Sequence, residues 1–140
     1  MSDLRDRIGR VGVWSGLLGS SAAADERAAA AEIERLGFGA IWYSETPTGK
    51  EALVHAGLLL AATERVLVAS GIANVYARDA IAAATGAAAL AEAHGGRFVL
   101  GLGVSHAPAV SVRGHDYGRP VATMRAYLDA MEAAQPSFPA

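Results

Sequence analysis

Apolar and polar positions along the chain follow one pattern four times, in which a short β-rich run precedes a longer alanine-rich helical run. The predicted strands cover residues 10–14, 40–44, 66–71 and the run that begins at 97. The predicted helices cover about 22–36, 51–62, 79–94 and a segment from 120 onward. This alternation is typical of βα units stacked along a parallel sheet.

Local signals mark the faces and ends of the predicted helices. In the first helix, Ala29, Ile33 and Leu36 form an apolar face, and we expect Glu26 to lie off that face. Asp79 is placed to cap the third helix, because a short acidic side chain accepts from the free backbone N–H groups of a first turn. These signals predict where each unit turns back along the sheet.

The alternation of strand and helix patterns is interrupted after the fourth strand. Residues 106–119 form a polar, glycine-containing loop that is longer than a simple connection needs, and such loops at strand ends tend to be functional. Pro120 suits the first turn of a last helix, whose apolar positions recur at spacings of three and four: Val121, Met124, Leu128 and Met131. We therefore predict one domain over residues 1–134 and a truncated connecting tail over 135–140.

The number of βα units limits which architectures the chain can form. A closed (β/α)₈ barrel typically needs about 250 residues, and four units supply half of its strands. The predicted fold class is therefore α/β, with four βα units forming half of a (β/α)₈ TIM barrel around a parallel sheet. A doubly wound receiver-type fold also fits the length, but its chemistry needs an aspartate at a central strand end, where this chain has Ser70 and Gly71. Free edges on a half-barrel favour pairing, so we expect a homodimer or a missing second half-barrel.

Composition excludes several classes of partner. The chain has 140 residues, with 12 Lys and Arg against 14 Asp and Glu, so no basic surface is expected to bind nucleic acid. It has no cysteine, which excludes a disulfide framework and thiolate zinc sites. The first residues lack the apolar core of a signal peptide, and the longest apolar stretch, 52–62, is too short to cross a bilayer. We expect a cytoplasmic protein with a small-molecule partner and no membrane contact.

Candidate chemistry lies where the strands end, at residues 14–16, 44–46, 70–72 and 103–106. Parallel βα architectures bring such ends to one face, which is where their ligands bind. We predict Trp14 for a substrate pocket, although core packing is the common role of tryptophan.

Two side chains are the predicted catalytic residues. His106 can donate to a cofactor or act as a general acid near neutral pH. Glu45 directly follows a buried strand, which indicates either a functional role or a structural ion pair.

The other histidines and the glycine motif give weaker evidence for a functional site. We expect surface or capping roles for His55 and His94, and a lid or a solvated turn around His115. No chelating spacing of His or carboxylate residues predicts a metal site. The glycines at 101 and 103 lack the third glycine of a dinucleotide fingerprint, which leaves a mononucleotide-like ligand open.

Three segments, 36–45, 70–79 and 96–106, together resemble the bacterial luciferase-like flavin monooxygenases and their coenzyme F420-dependent oxidoreductase relatives. The resemblance covers about residues 10–131 and corresponds to the amino-terminal half of the family barrel. It implies a ring of F420 or FMN lying across the strand ends, and a non-prolyl cis peptide at Ser70–Gly71. The residues that it implies for cofactor binding are Ser70, Gly71, Gly103, Val104, Ser105 and His106.

The resemblance also implies an activity, namely hydride transfer or oxygenation of a small organic substrate by an oxidoreductase or monooxygenase. Many F420-dependent relatives have Asp-His after the second strand, where this chain has Glu45 and Thr46. This difference leaves the identity of the catalytic acid or base open. Some relatives have a glutamate where His106 stands, so proton transfer is either reassigned to His106 or lost on this interpretation. The alternative is a non-catalytic truncated half-barrel or assembly module without a bound cofactor.

Overall fold

The computed structural model describes residues 4–138, so residues 139 and 140 of the predicted tail lie outside it. The helices are α1 (Leu4–Ile8), α2 (Ala23–Arg35), α3 (Ala52–Ala61), α4 (Ala80–Ala93), α5 (Ala107–Ser111) and α6 (Pro120–Ala133). The strands are β1 (Val13–Ser15), β2 (Ala40–Tyr43), β3 (Leu67–Ser70), β4 (Ala73–Asn74), β5 (Phe98–Val99) and β6 (Leu102–Gly103).

All strand pairs of the described chain are parallel, as the βα pattern predicts. One sheet has the order β1-β2-β3-β5, and the pair β4-β6 extends its third and fourth strands. Sequential strands are neighbours joined through helices, which is the arrangement of a (β/α)₈ barrel. Within residues 4–138, β1 and β5 each pair on one side only.

The third strand contains a bulge. Ala69 pairs with Val99, and Ala73 pairs with Leu102. The third strand therefore places three residues, 70–72, between its paired segments where the fourth strand places two, 100–101. An extra residue of this kind breaks the ladder and bends the strand, which is why β3 and β4 are separate segments.

Capping contacts fix the helices to the sheet. The carboxylate of Glu51 accepts from Val54 N at 2.9 Å, and that of Asp79 accepts from Ala82 N at 2.8 Å, so both caps satisfy first-turn N–H groups. At the far end of α3, the guanidinium of Arg97 donates to the carbonyl oxygens of residues 60, 63 and 66 at 3.0 to 3.2 Å.

The core lies between the sheet and the helices. Large side chains from the strands pack with those of α3, and buried alanines from strands and helices belong to the same core. The largest fully buried apolar side chains are Tyr43, Ile41, Leu59, Leu60 and Leu67.

Two elements differ from the prediction. The segment 106–119 is not all loop, because α5 begins directly after His106 with Pro108 in its first turn. The short α1 was not predicted, since tertiary contact rather than local pattern defines it. A Cβ at Gly39 would lie 2.2 Å from the carbonyl oxygen of Ile8, so the end of α1 packs against the backbone before β2.

No helix within residues 4–138 combines the length and the apolar character needed to cross a bilayer.

Candidate functional site

The carboxyl ends of β1, β2 and β3 lie side by side. Ser15 pairs with Tyr43, and Tyr43 pairs with Ser70. The side chain of Trp14 is 62% exposed, and its indole N–H donates a hydrogen bond of 3.4 Å to the carbonyl oxygen of Gly71. The structure thus brings together three of the four predicted strand ends.

The fourth strand end joins this edge through Gly103, which pairs with Asn74. A Cβ at Gly103 would lie 2.6 Å from Cγ1 of Ile72, so glycine is needed for the Ile72 side chain to cover this position. Val104 follows and borders a groove of about 520 Å³ that also contacts α6. We refer to four of these residues as the strand-end platform: Trp14, Gly71, Ile72 and Gly103.

The backbone turns sharply beside the platform. The peptide bond between Gly71 and Ile72 is cis, so the position that the resemblance implied, Ser70–Gly71, was wrong by one bond. The Ser70 hydroxyl donates to Gly101 O at 2.8 Å and accepts from Gly101 N at 2.9 Å. Because Ser70 is 1% exposed and its hydroxyl is engaged within the sheet, its contribution to a ligand would come through the backbone.

The segment after β6 has an unusual backbone. Ser105 has a φ of 59°, a left-handed conformation that non-glycine residues adopt mainly at special sites. Its carbonyl oxygen accepts from the Tyr117 hydroxyl at 3.0 Å, and the Tyr76 hydroxyl donates to Tyr117 O. These bonds hold the loop before α6 against the third and fourth strand ends. His106 is exposed and begins α5 without a side-chain capping bond, so its imidazole is open to a ligand.

Glu45 lies at the end of β2 as predicted, but its carboxylate is enclosed. The side chain is 1% exposed and forms an ion pair with Arg78. Its oxygens also accept from Asn74 N at 2.8 Å and Ala52 N at 3.3 Å, and Arg113 Nη2 lies 3.9 Å away. The geometry matches the ion-pair alternative, while catalysis by Glu45 stays a prediction.

The structure contains a buried charged cluster that the sequence did not lead us to predict. Glu26 and His55 are both 0% exposed, so the expected positions, off the apolar face for Glu26 and on the surface for His55, were wrong. Glu26 Oε2 lies 3.0 Å from Lys50 Nζ and 3.3 Å from His55 Nε2. The missed signal is spacing, because Glu26 shares one helical face with Ala30 and Ile33.

Burial gives His55 a predictable pH dependence. Loss of solvation lowers the pKa of His55 below its usual 6.5, Lys50 lowers it further, and Glu26 opposes both. The folded state therefore keeps His55 neutral where the unfolded chain binds a proton, so stability is present above about pH 6.5 and falls as the pH drops below it.

We expect the wild-type protein to lose more stability between pH 7.5 and 5.5 than His55→Gln loses, since the variant lacks the titrating ring. Urea denaturation of both proteins at the two pH values measures the difference. Equal losses would show that His55 does not carry this dependence.

Across residues 4–138, no three His, Asp or Glu side chains are grouped closely enough to hold a metal ion.

Known proteins match this chain over most of its length. A family model described as luciferase-like monooxygenase matches residues 10–137. A curated relative is 5,10-methylenetetrahydromethanopterin reductase from Methanolobus tindarius, 26% identical over 98 residues, which are 70% of this chain and 30% of the relative. The matched part of the chain therefore covers less than a third of that protein's length.

Solved structures share the fold. The oxygenating constituent of 3,6-diketocamphane monooxygenase from Pseudomonas putida, solved with FMN, matches 88% of this chain and 38% of its own, with a TM-score of 0.76 and 16% identity. The coenzyme F420-dependent tetrahydromethanopterin reductase from Methanopyrus kandleri matches 88% and 40%, with a TM-score of 0.71 and 19% identity. These likenesses confirm the predicted fold, four βα units that correspond to part of a longer barrel chain.

Proposed function

The chain belongs to the luciferase-like monooxygenase family, and from this premise we propose that it forms the ring-binding half of an oxidoreductase that uses coenzyme F420 or FMN. The substrate class is a small organic molecule, which undergoes hydride transfer or oxygenation. The observation that carries the proposal is the meeting of four strand ends at the strand-end platform. Parallel barrels bind their ligands at this edge.

The platform residues fit one face of a flat ring. Gly71 and Gly103 bring the backbone close to the surface, and Ile72 adds an apolar side chain over Gly103. When bound, the flavin or deazaflavin supplies the two-electron chemistry, and the protein supplies position and surroundings. Trp14, exposed beside Gly71, is the proposed wall of the substrate pocket.

His106 and Glu45 receive different roles in this proposal. His106 is exposed after the left-handed Ser105, so its imidazole can donate to the cofactor or hold the proton that the reaction moves. Glu45 acts as a positioning residue, because its oxygens are occupied by Arg78 and by the backbone of β4 and α3. Val104 and Ser105, which follow the end of β6, would contact the ring through their backbone.

A second half is needed to complete the barrel. The matched structures extend well beyond the part that this chain covers. We assign the remaining cofactor and substrate contacts to a further half-barrel or to a second copy of this chain. The proposed setting is the cytoplasm. The rival proposal, an assembly module that binds no cofactor, is favoured by the single-sided pairing of β1 and β5.

Cofactor titration tests the proposal. Purified protein is titrated separately with FMN and with F420, and binding is followed by calorimetry and by the absorbance of the ring. We expect saturable binding of one cofactor, about fivefold weaker for His106→Ala, which corresponds to the loss of one hydrogen bond.

His94→Ala is the matched control, since His94 ends α4 at the opposite edge of the sheet, and its affinity should equal that of the wild type. Failure of the wild-type protein to bind either cofactor would favour the assembly module. Equal affinities of His106→Ala and the wild type would remove His106 from the site.

A further inference from the structure

Lys50, the only lysine in the sequence, lies where two strand-end loops meet. The loop after β1 covers residues 16–21 and includes a short 3₁₀ helix at Leu18–Ser20. The loop after β2 covers residues 44–51. Lys50 N donates to Gly19 O at 3.0 Å, and Lys50 Nζ donates to Ser21 O at 2.5 Å. One residue of the second loop thus binds the first loop through both its backbone and its side chain.

The ammonium group is held in place by a buried charge. Lys50 Nζ lies 3.0 Å from Glu26 Oε2, and the Glu26 side chain is 0% exposed. His55, also fully buried, contacts the same oxygen. A buried carboxylate without a cation is strongly unfavourable, so the ion pair with Glu26 favours the position of Lys50 between the two loops.

The first loop continues directly from Trp14. Leu17 N donates to the Ser15 hydroxyl at 3.3 Å, and the Ser21 hydroxyl donates back to Leu17 O at 2.9 Å. A Cβ at Gly16 would lie 3.4 Å from Cη2 of Trp14, so the loop backbone packs against the far edge of the indole. At the opposite edge of the indole, the ring N–H donates a long hydrogen bond of 3.4 Å to the carbonyl oxygen of Gly71. The indole therefore contacts the loop backbone as well as Gly71.

We propose that Lys50 is a positioning residue, which anchors the loop of residues 16–21 and so holds Trp14 over the strand-end platform. Loss of the anchor frees the loop, and the indole then moves away from Gly71. The part of this inference that concerns cofactor affinity rests on the proposed function. The part that concerns Trp14 does not.

The test removes both charges together, because Lys50→Met alone leaves Glu26 buried and unpaired. The double variant Glu26→Met/Lys50→Met replaces the pair with apolar side chains of similar size, a change that is often neutral for stability. The protein is labelled with 5-fluorotryptophan, and fluorine NMR follows Trp14 and Trp42, with Trp14→Phe assigning the signals. We expect the Trp14 signal of the double variant to move toward that of the free amino acid, and by more than the signal of Trp42, its register partner on β2.

An unchanged Trp14 signal in the folded double variant would overturn the inference. If the double variant does not fold, Glu26→Gln/Lys50→Gln makes the same test with polar side chains. Lys50→Arg, which keeps the cation, should restore most of the wild-type signal, and a signal like that of the double variant would contradict an anchor based on charge. Arg35→Met, which removes the exposed pair with Glu32, is the control and should leave both signals unchanged.

Cofactor affinity separates this inference from the proposed function. We expect the double variant to bind its cofactor about threefold more weakly, as expected when binding must also order one side chain. If the wild type binds neither FMN nor F420, the proposed function fails, and the Trp14 signal still decides the role of Lys50. If the wild type binds and the double variant binds equally well, Lys50 does not act on the cofactor.

Discussion

Gly101→Ala is expected to destabilise the fold by about 3 kcal/mol, the upper end of the range for overpacking a well-packed interior. The added Cβ would lie 2.1 Å from the carbonyl oxygen of Ser70. The obstacle is backbone, so the third and fourth strands must move apart, and the two hydrogen bonds between Ser70 and Gly101 weaken with them. Urea denaturation followed by circular dichroism measures the loss.

Gly57→Ala is the matched control for this glycine. Gly57 lies inside α3, and its Cβ would lie at an ordinary distance of 3.6 Å from Leu90 Cδ2. We expect this variant to gain about 0.5 to 1 kcal/mol, because glycine is a poor helix former. A Gly101→Ala protein as stable as the wild type would show that the two strands can separate without loss.

Arg78→Met is expected to destabilise the protein by about 3 to 5 kcal/mol, the usual effect of removing one partner from a buried ion pair. The Arg78 and Glu45 side chains are 7% and 1% exposed, so the remaining carboxylate would have little access to water. Arg78 Nη2 also lies 2.6 Å from Glu51 Oε1, which links the cap of α3 to the same network. Denaturation at neutral pH gives the magnitude.

Two further variants isolate the cause. Adding Glu45→Gln to Arg78→Met should recover at least half of the loss, because a neutral amide oxygen still accepts from Asn74 N and needs no cation. Arg35→Met, in an exposed pair with Glu32, should have no resolvable effect. No recovery in the double variant would mean that Arg78 stabilises the fold by packing rather than by its charge.

Much of the fold was predictable because its signals are local. Apolar runs of strand length and alanine-rich helical segments alternate in the sequence, and acidic side chains at 51 and 79 stand where helix caps form. Parallel topology then brings the strand ends to one edge, so candidate site positions such as Gly71 and Gly103 follow without knowledge of side-chain contacts.

The remaining features depend on tertiary contacts. Helical spacing places Glu26 on the face of Ala30 and Ile33, but the cation beside its buried carboxylate comes from a different loop, which no local pattern indicates. The enclosed state of Glu45 depends on Arg78, 33 positions along the chain. The cis bond at Gly71–Ile72 also differs from its implied position by one residue, which pattern alone does not resolve.

The extra residue at 70–72 reverses the phase of the third strand. Side chains alternate between the two faces of a strand, so one inserted position exchanges the faces of every residue that follows it. Counting by twos from Leu67 therefore assigns the wrong face to Asn74. Anyone who grafts this strand onto another barrel, or shortens it by one residue, must treat the halves before and after the bulge as separate units.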